Sequence, residues 1–258
     1  MSLGILLLVA SPFVGSWIAT FAVRLPQGEP TALARSRCRS CGRQLAARDL
    51  VPLLSWLLLR GRCRFCGGAI GVYYPLVELA SLAIAAAATA LESGPDVAIS
   101  CCFGWSLLAL ALSDLGSFLI PDAIVLPLVP CGLAVAAFSA DEPLAAVLEH
   151  ALAALFGFAF FAGLGWAYRA LRRREGLGLG DAKLMAAAGA WLGWQPLPLV
   201  VLLAASMGLA GALLARARTA GAGDWRLAKV PFGAPLAAAI FLLWLARSYW
   251  ELYGLTLL

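Results

Sequence analysis

The chain has 258 residues, of which 62% are hydrophobic and only 13% are charged, and its mean hydropathy is +0.90. Soluble domains carry about a quarter charged residues, so this composition excludes an ordinary water-soluble fold. The net charge of +5 therefore bears first on how the chain is oriented in a membrane and only second on nucleic-acid binding.

Apolar segments recur along the chain, most of them long enough to cross a hydrocarbon core of roughly 30 Å. Backbone amides that face lipid must be satisfied within their own segment, so each crossing is predicted to be a helix. The predicted fold class is an all-α polytopic membrane protein with about eight transmembrane helices. The predicted spans are residues 3–23, 75–91, 97–113, 119–138, 145–168, 181–195, 197–215 and 232–251.

The basic residues segregate between alternate connections. If the chain has eight spans, 18 of its 19 basic residues fall on one side of the membrane. They are the nine arginines of residues 24–74, then Arg169, Arg172, Arg173, Arg174, Lys183, Arg216, Arg218, Arg226 and Lys229. The opposite connections carry acids and no Lys or Arg. By the positive-inside rule, the basic loops are predicted to be cytoplasmic and both termini external.

The loop 24–74 contains two matched cysteine pairs, Cys38-x-x-Cys41 and Cys63-x-x-Cys66. Two such pairs 21 residues apart are typical of tetrahedral zinc sites. A reducing cytoplasm favours metal binding over disulfides, although redox-active or unliganded thiols remain the alternative. Four protein ligands leave no open position, so the zinc is predicted to be structural. The predicted domains are thus a first transmembrane helix (1–23), a small zinc-binding cytoplasmic loop domain (24–74) and a larger transmembrane domain (75–258).

Two acids at predicted helix ends are the candidate catalytic pair. Asp114 ends the third span and Asp181 begins the sixth, and the predicted topology puts both at the cytoplasmic face. Charged side chains at membrane depth are costly and usually functional. Two neighbouring carboxyls titrate apart, so that one acts as acid and one as base on a water. The alternative is that each aspartate only borders or caps a helix.

Four further residues are candidates for positioning a substrate: Gly178, Gly180, Lys183 and Asp122. The run before Asp181 lacks the spacing of a phosphate loop, but its glycines would let a substrate backbone approach or let the helix start shift. Asp122 lies in the first turn of the fourth span, where the helix dipole alone would favour an acid.

These motifs resemble the type IV prepilin peptidase family, bacterial membrane aspartyl proteases of the GxGD type. The matching segments follow in order along nearly the whole chain: Arg24–Leu25–Pro26, the two cysteine pairs, Pro52–Trp56, Tyr74–Glu78, Ile120–Asp122, Gly176–Leu184 and Pro231–Gly233. In one departure, Gly116 and Ser117 occupy positions where members often carry an acid and a histidine.

The resemblance implies a multi-pass protein of the bacterial inner membrane whose active site faces the cytoplasm. There it would cleave the leader peptides of type IV prepilins or type II secretion pseudopilins, with Asp114 and Asp181 as the catalytic pair. Members with the long cysteine loop also N-methylate the new amino terminus using S-adenosylmethionine. The residues that would bind this cofactor are not identified by any motif.

Two other classes of function compete with proteolysis. A transporter would use its intramembrane acids to bind protons or cations, but it would need them near the midplane and not at helix ends. A membrane-tethered zinc module could bind nucleic acid through its arginines, but topology already accounts for those residues. The predicted partners are thus the substrate pilin and the lipid bilayer, without nucleic acid, and the oligomeric state stays open.

Overall fold

A computed structural model describes residues 3–30, 35–173, 178–218 and 231–252. The chain divides into two compact units, an N-terminal unit (Met1–Ala109) and a C-terminal unit (Leu110–Leu258). Of the residues singled out in the sequence, Arg174, Gly176, Arg226 and Lys229 lie outside the described ranges. The three predicted domains are a functional division, which compactness does not test, and they stay a prediction.

Within the described ranges the chain forms nine α-helices, and most of them coincide with a predicted span. They are α1 (Leu3–Arg24), α2 (Leu54–Leu58), α3 (Tyr73–Leu91), α4 (Asp96–Ser117), α5 (Asp122–Ser139), α6 (Pro143–Arg172), α7 (Leu179–Leu192), α8 (Leu197–Arg218) and α9 (Gly233–Leu252). The short α2 lies within the cysteine loop, and α4 contributes to both compact units.

Six of these helices, α1, α3, α4, α5, α6 and α8, are long and apolar enough to cross a membrane. This confirms the predicted all-α polytopic fold class. The helix α7 has only 14 residues, and the apolar stretch searched in α9, Gly233–Arg247, is also short. The count of eight crossings therefore stays a prediction.

In the N-terminal unit, α1 and α3 approach closely through small residues. A methyl group on Gly15 of α1 would lie 2.7 Å from the Cα of Glu78 in α3, so only glycine fits there. At the same crossing, the buried Ser81 hydroxyl donates a 2.6 Å hydrogen bond to the carbonyl of Ser11. Small residues and interhelical hydrogen bonds stabilise such contacts where lipid supplies no hydrophobic driving force.

In the C-terminal unit, the short α7 packs against α5, α6 and α9. Small residues on the facing helices allow this close packing. Methyl groups on Gly132 of α5 and Gly157 of α6 would meet the α7 backbone at 2.8 Å. A methyl group on Gly189 of α7 itself would meet the α6 backbone at 2.5 Å. The Trp191 indole donates to the carbonyl of Leu128 at 2.7 Å. This packing holds the Asp181-bearing helix firmly within the unit.

Candidate active site and metal centre

Asp114 lies in the last turn of α4 and is only 5% exposed. Its Oδ2 accepts a 2.8 Å hydrogen bond from the backbone N–H of Ala234, the second residue of α9. The amide of Gly233 is a second main-chain donor beside the same carboxyl group. A buried carboxyl without partners would carry a large desolvation cost. The main-chain N–H groups at the start of α9 offset part of that cost by hydrogen bonding.

Asp181 is the third residue of α7 and is 8% exposed. Its Oδ2 accepts a 3.3 Å hydrogen bond from the N–H of Gly178, the residue that precedes the helix. Asp181 therefore does cap its helix, as the structural alternative expects. It also interacts electrostatically with the carboxyl group of Asp114, which capping alone does not require.

The arrangement thus joins two carboxyl groups from separate helices, each held by a main-chain N–H at the start of a helix. The positive end of a helix dipole is a favourable partner for a carboxylate. Two buried, interacting carboxyls can share one proton, so one can remove a proton from water while the other donates one. No covalent intermediate is needed for this chemistry.

Asp122 and Lys183, two of the predicted positioning residues, form an ion pair with an N–O distance of 2.6 Å. Asp122 is the first residue of α5 and Lys183 lies in the first turns of α7. Their side chains are 56% and 23% exposed, respectively. The pair ties the beginnings of two helices together and leaves both groups accessible to a substrate.

The two glycines of the acid motif differ in their surroundings. A methyl group on Gly180 would meet the Ile120 side chain at 3.0–3.2 Å. The nearest atom to a methyl group on Gly178 would be Asp181 Oδ2 at 3.6 Å, an ordinary contact. Steric need therefore explains glycine at position 180, and the described contacts give no steric reason for glycine at position 178.

Sequence reasoning assigned no role to three residues that contact this site: Ile120, Gly233 and Ala234. Ile120 and Gly233 each belong to a segment that resembles the peptidase family, which was the only signal available. Their contacts join residues 60 positions apart, from Ile120 to Gly180, up to 120 positions apart, from Asp114 to Ala234. Apolar or backbone contacts at such separations leave no chemical pattern in a sequence.

The candidate metal centre lies in the N-terminal unit, where the two cysteine pairs form equivalent turns. The N–H of Cys38 donates to the carbonyl of Arg43 at 2.9 Å, and the N–H of Cys63 donates to the carbonyl of Gly68 at 2.8 Å. Each turn also carries a glycine with positive φ, Gly42 at 69° and Gly67 at 68°. The two halves of the site thus share one backbone geometry, and each is closed by an isolated β-bridge.

The four thiol sulfurs fit a zinc ion. All of them lie within 4.8 Å of one another, and the sulfurs of Cys38 and Cys66 are 3.8 Å apart. Tetrahedral zinc with Zn–S bonds of about 2.3 Å places its sulfurs about 3.8 Å apart. The described residues thus confirm that a cluster of four cysteines exists and could hold a metal ion, whereas the identity of that ion stays a prediction.

The acid–base state of the thiols also suits a cation. Hydrogen bonds from the backbone N–H groups of Cys41 and Ser40 lower the pKa of the Cys38 thiol to about 6. The N–H of Gly68 alone would lower the pKa of Cys66, but hydrogen bonding with the Cys41 and Cys63 sulfurs raises it to about 11. The sulfurs therefore share protons that a divalent cation would displace.

Arginines brace this cluster from both halves. Arg64 donates to Asp49 at 2.7 Å, and this hydrogen bond lowers the pKa of the Asp49 carboxyl group. Arg43, beside the first pair, stacks over the ring of Phe65 in the second pair at 4.4 Å. At least these arginines therefore have a structural role in addition to their predicted role in topology.

Comparison with known sequences finds two family matches that together cover most of the chain. Residues 9–91 match the bacterial peptidase A24 N-terminal domain, and residues 101–215 match the type IV leader peptidase family. The first match contains all four cysteines of the metal centre, and the second contains both acids. No solved structure matches the chain.

Several curated proteins named prepilin leader peptidase/N-methyltransferase are similar to the chain over most of its length. The protein from Burkholderia pseudomallei is 44% identical over 217 residues, which cover 83% of this chain and 68% of the relative. The protein from Aeromonas salmonicida is 41% identical, with 81% and 71% covered. The protein from Pseudomonas aeruginosa is 38% identical over 234 residues, with 86% and 77% covered.

Proposed function

Because the chain belongs to the type IV leader peptidase family, we propose that it cleaves the leader peptides of type IV prepilins or type II secretion pseudopilins with Asp114 and Asp181 as catalytic residues. The observation that carries this assignment is the interaction of the two buried carboxyl groups across α4 and α7. The family supports the reaction, and the burial and interaction of these two carboxyl groups support their assignment as the catalytic pair.

In the proposed reaction a water molecule lies between the two carboxyl groups. One carboxylate removes a proton from the water, and the water oxygen attacks the scissile carbonyl carbon. The other carboxyl group, protonated at that moment, donates its proton to the carbonyl oxygen. As the C–N bond breaks, the first carboxyl group passes the proton that it took from water to the leaving amine, and the hydroxyl of the intermediate returns its proton to the second carboxylate.

Position in the membrane explains why this site would suit such substrates. Both acids lie near helix ends, Asp114 in the last turn of α4 and Asp181 in the first turn of α7. Under the proposed topology these ends lie at the cytoplasmic face of the bacterial inner membrane. A substrate with a basic leader in the cytoplasm and an apolar helix in lipid would present its boundary at that depth.

The second activity named for the relatives, N-methylation, is proposed for this chain as well. The new terminal amine would attack the methyl carbon of S-adenosylmethionine, the sulfonium would leave as a neutral thioether, and the amine would lose a proton. The metal centre has four protein sulfurs, so a zinc bound there would be structural and would take no part in this transfer. Transfer of a labelled methyl group to the cleaved product tests this activity.

The transporter hypothesis finds no support in the comparisons, because the matching family and the curated relatives are peptidases by name. The ion pair of Asp122 and Lys183 is proposed to position the substrate near the acids. The pair could contact a substrate, since more than half of the Asp122 side chain is exposed.

The decisive experiment is leader cleavage of a type IV prepilin by the purified full-length chain, followed by mass spectrometry. We expect Asp114→Asn and Asp181→Asn each to reduce the cleavage rate by about 10²- to 10⁴-fold, because each removes one general acid or base and keeps the side-chain volume. Either variant cutting at the wild-type rate would remove that residue from the mechanism.

A matched control separates catalysis from a general loss of charge. Asp141 is an exposed acid in the connection between α5 and α6, on the predicted opposite face. Asp141→Asn should therefore cleave like the wild type. Equal losses in Asp141→Asn and Asp114→Asn would mean that the assay reports folding and not the carboxyl pair.

A further inference from the structure

The start of α9 contacts Asp114 directly. The N–H of Ala234 donates to Asp114 Oδ2 at 2.8 Å, and both residues are buried. Ala234 is in the first turn of its helix, where main-chain N–H groups have no partner within the helix. The hydrogen bond to Asp114 therefore uses a donor that the helix itself does not need.

Gly233 makes this approach possible. A methyl group at position 233 would lie 3.0 Å from Asp114 Cγ and Oδ2 and 2.8 Å from Ile120 Cδ1. The Ile120 side chain also lies against Gly180, beside Asp181. Ile120, which precedes α5, thus fills the space between the starts of α7 and α9. A residue larger than glycine at position 233 would therefore press against both Ile120 and Asp114.

We propose that Gly233 and Ala234 position the catalytic Asp114, by donating backbone hydrogen bonds to its carboxyl group and by leaving space for it. This inference rests on the proposed function. Asp181 is held in the same way by the N–H of Gly178, so both acids are oriented by the start of a helix.

The first test removes the Ala234 donor and leaves the Gly233 amide in place. Replacing Ala234 by lactic acid through nonsense suppression changes the amide to an ester and leaves the shape intact. We expect kcat for prepilin cleavage to fall about 10- to 100-fold, the range for a hydrogen bond to a charged group, with KM unchanged. The same ester at Ala238, farther along α9, removes an ordinary helix hydrogen bond and should leave kcat within about twofold.

An unchanged kcat in the Ala234 ester, or an equal loss in the two esters, would overturn the proposal. The proposed function is tested separately by wild-type cleavage and by Asp114→Asn in the same assay. If the wild-type chain cleaves and Asp114→Asn does not, a normal Ala234 ester defeats only the positioning role. If Asp114→Asn cleaves normally, the proposed catalytic role of Asp114 has failed, and if the wild-type chain does not cleave, the proposed function itself has failed.

The second test uses the two obstacles that a methyl group at position 233 would meet. We expect Gly233→Ala to lower kcat by about 10²-fold, because an ångström-scale misplacement of a reacting group costs about that much. Ile120→Val removes the nearer obstacle, Cδ1, but leaves Asp114 in place. The double variant should therefore stay as slow as Gly233→Ala, and full recovery in the double variant would show that Asp114 was never displaced.

Discussion

Gly178 and Gly180 flank the same helix start, but only one of them is required by its surroundings. A methyl group at position 180 meets Ile120 at 3.0 Å, whereas one at position 178 makes only ordinary contacts. We therefore expect Gly180→Ala to slow prepilin cleavage about 10- to 100-fold through a shift of Asp181. Gly178→Ala keeps its N–H donor and an accessible backbone conformation, with φ at −76°, so it should cleave within about twofold of the wild type.

The two variants are a matched pair, because each adds one methyl group within one helical turn of Asp181. Their cleavage rates are compared as initial rates at saturating substrate. A Gly178→Ala variant that is slower than Gly180→Ala would show that a substrate, and not Ile120, needs the space at position 178.

The ion pair of Asp122 and Lys183 predicts coupling between two side chains on different helices. Partly exposed pairs are worth about 0.2–1 kcal/mol, so Asp122→Asn and Lys183→Gln should each have a small effect on stability. A double-mutant cycle on thermal unfolding should return a coupling energy in that range. The exchange Asp122→Lys with Lys183→Asp should recover part of any loss in KM, and additive effects would mean that the 2.6 Å contact carries no energy.

At the level of residues, site residues could be predicted from the sequence where their chemistry is unusual for a membrane protein, and not where it is common. Two aspartates at membrane depth stand out because a charge there is costly, and four cysteines stand out through their spacing. Ile120 and Gly233 do not stand out, because isoleucines and glycines are common in any helical membrane protein. Their importance arises only from contacts with residues distant in the chain.

At the level of elements, the metal centre is an internal repeat that sequence inspection overlooked. The pattern Arg-Cys-Arg-x-Cys-Gly occurs at residues 37–42 and again at residues 62–67. The structure shows the same hydrogen bonds and the same positive-φ glycine in both copies. A repeat of six residues is too short to distinguish from chance in a sequence, and the shared backbone geometry is what identifies it.

This equivalence predicts equal responses at the two turns. Gly42→Ala and Gly67→Ala would meet no described atom within 4 Å, so each should cost only the left-handed strain of about 1–2 kcal/mol. We expect zinc affinity, measured by competition with a chelator, to fall by about 5- to 30-fold in each. Gly71→Ala, also in open space among the described residues but without positive φ, should bind like the wild type. A comparable loss in Gly71→Ala would show that strain at the turns is not the cause.

The cysteines themselves predict what metal removal does to this element. Cys38→Ser should reduce bound zinc from about one ion per chain to near zero, because a tetrahedral site without its fourth thiolate binds much more weakly. The loop 24–74 should then be cut faster by protease, measured in detergent. Cys131→Ser changes an exposed cysteine of α5 and should leave both zinc content and protease resistance intact. Zinc retained at wild-type level in Cys38→Ser would argue against the four-thiol site.

Helix positions were predictable to within a few residues, and the differences have local causes. The fourth span was predicted to begin at residue 119, but α5 begins at Asp122 because Pro121, with ψ at 123°, precedes the helix. The sixth was predicted to end at residue 195, but α7 ends at Leu192 because Gly193 has φ at 73°. Hydropathy averages over such residues, so it finds a helix without finding its caps.

At the level of the whole molecule, composition predicted a polytopic helical protein, and the described helices confirm it. Composition does not predict the short α7. An isolated helix of 14 residues spans about 21 Å, less than a hydrocarbon core of roughly 30 Å. Because α5, α6 and α9 cover it, α7 need not match the bilayer thickness by itself, and its small residues serve packing with these helices.

Whether α7 carries the chain across the membrane bears directly on the predicted count of eight spans. Alkaline phosphatase, which is active only after export, reports this when it is inserted in frame at single sites. Insertions after Arg64 and Arg173 should be inactive, and insertions after Ala140 and Gln195 should be active, as the positive-inside rule requires. The insertion after Ala140 is the control, since it precedes α7. If that insertion is active and the one after Gln195 is not, α7 does not cross, and the predicted exterior position of the connection between α7 and α8 is wrong.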